Sequence, residues 1–137
     1  MKKLLIVIGF IVILLLPAVT LSCAASNVAA SLGEEFTLKV GQTANVIDED
    51  LTINFEAVTS DSRCPTGAQC IWEGEATCNM VITYQGAETE VVFTQPGSST
   101  GQVTFQQYTF SFQLKPYPQV DQQIDDCDYY LDLTVSK

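Results

Sequence analysis

The sequence contains no histidine, and only one arginine and one tryptophan stand among its 137 residues. Each scarcity excludes something. Without histidine there is no imidazole base to activate a serine or cysteine nucleophile, and no histidine-containing zinc set. Basic residues are scarce as well, with six Lys and Arg against sixteen Asp and Glu. A chain of that sign repels phosphate backbones, so no nucleic acid is expected as a partner. It also offers no basic patch to anionic lipid. No stretch reads as a capped amphipathic helix of period 3.6. Nucleophile elbow, P-loop and dinucleotide fingerprint are all missing. The acids are scattered, with no pair set apart as a glycosidase would need. The expectation is a protein that is not an enzyme and needs no cofactor.

What is present starts at the N-terminus, "MKKLLIVIGFIVILLLPAVTLSCAASN". Lys2 and Lys3 form a basic head, and an apolar run follows from Leu4 to Leu21. A basic head, an apolar stretch and small residues at a cut site describe a secretory signal, here residues 1–22. Val19-Thr20-Leu21-Ser22-Cys23 fits the loose form of a bacterial lipobox, although the tighter form prefers Leu where Thr20 stands. The reading is a lipoprotein signal with Cys23 as the lipidated first residue. That would make the membrane a partner through a lipid anchor and place the rest in the cell envelope, outside the cytoplasm. Ordinary cleavage with secretion, or an uncleaved span, are the alternatives.

From Cys23 about 115 residues remain, enough for one domain with a modest core. They keep Lys39, Arg63, Lys115 and Lys137 against all sixteen acids, a net charge near −12. Residues 23–33 are small and polar and read as a flexible tether. Residues 34–137 read as a single domain. Its apolar period is two. Phe36, Leu38 and Val40 share a face, as do Leu51, Ile53, Phe55 and Ala57. Further rows run through Trp72, Ala76, Cys78, Met80, Ile82 and Tyr84, through Tyr108, Phe110, Phe112 and Leu114, and through Cys127, Tyr129, Leu131, Leu133 and Val135. Alternation of this kind marks half-buried strands. Weaker strands are expected at 44–47 and 90–94, with turns at Gly41-Gln42, Gln85-Gly86 and 95–102. The fold class is all-β: an antiparallel β-sandwich of seven or eight strands, with a small open barrel as the alternative.

Apart from Cys23, four cysteines remain: Cys64, Cys70, Cys78 and Cys127. An even count in a small exported domain predicts two disulfides. If Cys70 to Tyr84 is one extended strand, Cys70 and Cys78 lie roughly 26 Å apart, beyond the reach of a disulfide. Of the two remaining pairings, Cys64–Cys70 with Cys78–Cys127 is favoured. The first pair flanks a Pro-Thr-Gly turn, and the second falls on the core parity of its strands. The spacing CxxxxxC does not suit zinc. Oxygen ligands cluster at Asp48, Glu49 and Asp50 and at Asp125, Asp126 and Asp128, loops of a kind that calcium can use. Neither is an EF-hand, since Ile53 and Thr59 stand where glycine and the closing Glu belong.

The run "DSRCPTGAQCIWEGEA", residues 61–76, resembles the signature D-S-R-C-P-x-G-x-x-C-x-W-x-G-x-A of a family of small, mostly uncharacterised exported bacterial and archaeal proteins, many of them lipoproteins. The likeness extends more loosely to "FTLKVGQTANV", "LKPYP" and "YYLDLTV". It implies an exported single domain with a Cys64–Cys70 bridge and carries no known activity. Cys78 and Cys127 look like additions to that pattern. Trp72 is expected to pack over the core beside the bridge, and Gly74 to mark a bulge or a close backbone approach. Arg63 is expected to pair with Asp61, Glu56 or Glu73, or alternatively to meet an anionic ligand. The function expected is an interaction module for an unknown protein or small ligand, its candidate binding loop formed by Arg63, Pro65, Thr66, Gly67, Ala68 and Gln69. A calcium-binding protein, a protease-inhibitor-like module and a purely structural envelope protein are the other readings.

Overall fold

The computed structural model describes residues 23–137, so the signal-like segment lies outside the described residues. The strands are β1 (Asn27–Ala30), β2 (Glu35–Lys39), β3 (Thr43–Val46), β4 (Leu51–Asp61), β5 (Glu75–Tyr84), β6 (Ala87–Pro96), β7 (Gly101–Phe105), β8 (Tyr108–Lys115) and β9 (Tyr130–Ser136). They form two sheets, ordered β1-β3-β4-β5-β6 and β2-β9-β8-β7. Among the described strands only β1 against β3 is a parallel pair; their other pairings are antiparallel.

The period-two rows explain the packing. Leu51, Ile53 and Phe55 of β4 and Ala76, Cys78, Met80 and Ile82 of β5 are buried on the inner face of the five-stranded sheet. Opposite them Tyr108, Phe110, Phe112 and Leu114 of β8 and Leu131, Leu133 and Val135 of β9 are buried as well. Phe93 of β6 joins the layers, its ring 5.5 Å from that of Phe110 and 4.8 Å from that of Phe112. Burying an aromatic or aliphatic side chain of this kind contributes roughly 1.5–3 kcal/mol, so the interlayer rows carry most of the driving force. The all-β, two-sheet sandwich expected from the alternation is what forms.

Two expectations are corrected. Residues 27–30, read as tether, are a strand: β1 hydrogen-bonds beside β3 and Ala30 is buried. The polar-looking "SNVAA" has too few large side chains to signal a strand, but small residues suffice on an edge. The second correction concerns Cys127, which pairs with Cys23 at a Cα–Cα distance of 5.3 Å and not with Cys78. Parity failed because Cys127 lies in a 3-10 turn at Asp126–Asp128, ahead of β9, and is exposed. Cys78 is free and buried between Val58 and Phe93 of the neighbouring strands. The Cys23 sulfur, read in the sequence as the lipid carrier, takes part in this bridge. The Cys64–Cys70 bridge forms as expected.

Burial pushes the Cys78 thiol up to about 12, with the Arg63 charge opposing only in part. A non-reducing peptide map should therefore join Cys23 to Cys127, and Cys78 should ignore thiol reagents until the protein unfolds. By chain entropy, replacing both Cys23 and Cys127 with serine should cost roughly 4–5 kcal/mol in urea unfolding, against about 2.4 kcal/mol for the Cys64–Cys70 bridge. Equal losses for the two would contradict the long staple.

Candidate functional site

Strands β4 and β5 do not close in a tight hairpin; the chain between them, 62–74, rises from one end of the sandwich. Its base is held by backbone bonds from Ser62 N to the Glu75 carbonyl (2.8 Å) and from Cys64 N to the Glu73 carbonyl (2.8 Å). Gly74 is required there. Its φ is +68°, and a β-carbon would collide with the Ser62 carbonyl. Close backbone approach, one of the two expected roles, is therefore the reason for the glycine. Above this base the Cys64–Cys70 bridge, with Cα atoms 6.0 Å apart, gathers Pro65–Gln69 into a small ring. Ala68 N donates to the Pro65 carbonyl (3.0 Å), and Gly67 turns the chain at φ +94°. Thr66 N donates to the Pro118 carbonyl at 2.9 Å, which fastens the ring to the segment before Val120.

Arg63 lies beneath the ring and is 2% exposed. Its Nε and Nη2 donate to the two carboxylate oxygens of Asp61 at 2.8 and 2.7 Å. Nη1 donates to the Leu114 carbonyl at 2.7 Å and Nη2 to the Pro116 carbonyl at 3.1 Å. The Tyr117 ring stands 4.9 Å from the guanidinium carbon. The reason lies in the sheet. Strand β7 reaches β8 only as far as Gly101 opposite Phe112, so Leu114 has no strand on its outer side. An unpaired buried backbone group is costly. Arg63 takes the Leu114 carbonyl, and Gln95 Oε1 accepts from Leu114 N at 2.6 Å. A side chain from β6 and one from the connection after β4 thus stand in for a missing strand in the other sheet. Arg63 serves the fold, and as a member of the candidate binding loop it is corrected: no anion from solvent can reach it. Of the partners expected for it, Asp61 is the one used.

Gln95 was not foreseen as structural, because "QPGSSTGQ" reads as a turn. Yet it continues the parity of Val91 and Phe93, and that signal would have found it. The Tyr129 hydroxyl, which donates to Asp61 Oδ2 at 3.1 Å, carried no sequence signal.

Trp72 also departs from expectation. Strand β5 starts at Glu75, so the alternation carried back to Cys70 does not hold. Trp72 is 80% exposed and Ile71 92% exposed, side by side just after the bridge. Thr66, Gly67, Ala68 and Gln69 are exposed as well, while Pro65 is half-buried. The apolar tip of the loop is therefore 71–72, next to the ring predicted to make the contact.

The six acids considered for calcium do not assemble: among the described residues no group of three or more acids or cysteines converges as a metal set. Glu49 is committed elsewhere. Its carboxylate accepts from the Tyr108 hydroxyl at 2.6 Å and from Lys137 Nζ at 2.7 Å. Asp48 and Asp50 flank it in the turn before β4, while Asp125, Asp126 and Asp128 sit around the 3-10 turn. No family model, no curated protein and no solved structure matches the chain.

Burial raises the Asp61 carboxyl, but the Arg63 hydrogen bonds and charge, aided by Tyr129, outweigh it and hold the carboxyl below the ordinary aspartate value. A carboxyl depressed on folding stabilises the native state above its unfolded pKa, and this stability is lost as pH falls through the folded one. Urea stability should therefore drop in acid. Arg63→Gln should flatten that drop and cost about 3–5 kcal/mol at neutral pH, since it strands a buried carboxylate. An acid profile unchanged in Arg63→Gln would show that the pair does not govern this end.

Proposed function

We propose that the chain acts outside the cytoplasm as a non-enzymatic interaction module, attached to a membrane at its N-terminus and meeting its partner with the clasped loop at 64–72. The observation that carries this reading is the exposed Ile71–Trp72 pair on a loop fixed from three sides. The bridge closes the loop, Thr66 ties it to Pro118, and the Arg63 network underlies it. Large apolar side chains on a rigid support are a common basis of recognition, because little entropy is lost when they are covered.

Two disulfides accord with an oxidising compartment, and the sequence from Met1 to Ser22 has the order of an export signal. With Cys23 in the bridge, the apolar run Leu4–Leu21 is the attachment that leaves the fold intact. A lipid on Cys23 would leave Cys127 without its partner. The resemblance around 61–76 to small exported proteins points the same way. The acidity of the domain argues against a nucleic-acid partner.

A photoreactive residue placed at Gln69 or at Thr83, in cells exporting the full chain, tests this reading. Gln69 should give a defined adduct that is lost when Cys64 and Cys70 are both changed to serine. Thr83, on the wet outer face of β5, should give none. The same adducts from both positions, or an adduct at Gln69 indifferent to the bridge, would mean that the loop is only a folding clasp.

A further inference from the structure

We infer that the surface met by the Ile71–Trp72 tip is the bilayer to which the chain is attached, the domain standing on the membrane loop-first. This rests on the membrane attachment proposed above, in the form that keeps the Cys23–Cys127 bridge, the apolar run, which brings residue 23 to the bilayer. The entry point of the chain is fixed. Thr43 N donates to the Ser26 carbonyl at 3.0 Å and Gln42 Nε2 to Ser26 Oγ at 2.7 Å. Gly41, at φ +86°, lies against Cys23, and a β-carbon there would sit a tight 3.2 Å from the Cys23 carbonyl oxygen. The bridge holds Cys23 to Cys127, two residues before Tyr129. Tyr129 in turn touches Asp61, and Arg63 touches Leu114 and Pro116. The entry point and the base of the clasped loop therefore occupy one end of the sandwich.

The linker is short. From Ser26 back to Leu21 an extended chain spans about 17 Å at most, so the apolar run must end close to the body. With β1 a strand, no long tether lets the domain swing away. The apolar side chains are distributed to match. Of the five large ones left exposed among the described residues, Ile71, Trp72 and Val120 stand at this end, and Val120 lies near Gly67 of the ring. Tryptophan favours the headgroup region, where its ring is half in hydrocarbon and half in water. The acids at this end, Glu73 beside the tip and Asp121, Asp125 and Asp126 near Val120 and Cys127, give no attraction to anionic headgroups, so the contact is shallow, apolar and dependent on the tether.

Because Trp72 is the only tryptophan, its fluorescence reports the tip alone. The full chain, exported and purified in detergent, is reconstituted into phosphatidylcholine vesicles with and without bromine on the acyl chains. The expected result is that the protein floats with the vesicles, Trp72 emission shifts to the blue, acrylamide loses access, and brominated lipid quenches the signal. Ile71→Asp should weaken all three optical effects without changing the circular dichroism. If the chain floats but Trp72 stays open to acrylamide and blind to bromine, the attachment stands and the inference is overturned. If the chain does not float, the attachment itself is wrong and the inference falls with it.

Discussion

The Arg63 guanidinium is the interaction on which this end of the molecule depends. A two-sheet sandwich must deal with the places where its sheets differ in length. Here β7 stops short, which leaves the edge of β8 bare at Leu114. Water could satisfy that edge only if the core opened to it. Arg63, just past the end of β4, and Gln95 of β6 satisfy it from the opposing layer, and Asp61 neutralises the charge that Arg63 brings in. Isolated buried ion pairs often fail to repay their desolvation. This one differs because the guanidinium also meets two main-chain carbonyls that would otherwise be stranded. Lysine could not replace it, since a single ammonium cannot hold both carboxylate oxygens and both carbonyls in one plane.

The same arginine explains why an acidic domain keeps its one guanidinium out of sight. Residue 63 is the last position before the bridge, so fixing it fixes the direction in which the loop leaves the body. Gly74 fixes the return strand by letting it pass close to Ser62. The disulfide then has a small task, to close a ring whose two stems are already placed. The apolar pair beyond the ring inherits this rigidity. On a mobile loop Ile71 and Trp72 would lower their exposure by folding back; on this one they are left in solvent, which is costly unless something covers them.

The core was legible because period two is a local signal. Strands β4, β5, β8 and β9 each show their buried row in the sequence, and a two-sheet arrangement follows from one wet face per strand. What was not legible depends on where parity stops. Trp72 and Cys127 were both placed by extending a row past the end of its strand, and both turned out on the outside. The sequence contains no mark at Glu75 or Tyr130 that says the strand begins there; hydrogen bonding with partners far along the chain decides it. β1 failed in the opposite sense. Its residues are too small to register as a row, yet they complete an edge. The Arg63–Asp61 pair was open to reading because the two residues are near in sequence, whereas Leu114, Pro116 and Gln95 enter through topology alone.

Cys23 shows how a processing signal and a fold can lay claim to one atom. Read locally, Leu21-Ser22-Cys23 concerns cleavage and acylation. In the folded chain the same thiol closes a covalent loop of 104 residues in sequence separation, with Gly41 leaving space for its backbone. The two uses exclude each other, and they differ in consequence. Acylation would hold the protein by lipid and leave Cys127 exposed with no partner in an oxidising compartment, a reactive position. The bridge removes that thiol and staples the first strand, whose edge position gives it few other contacts. It also sets residue 23 at the end from which Trp72 projects. Entry of the chain and exposure of the apolar tip thus share one cause: a covalent tie between the N-terminal edge and the turn before β9.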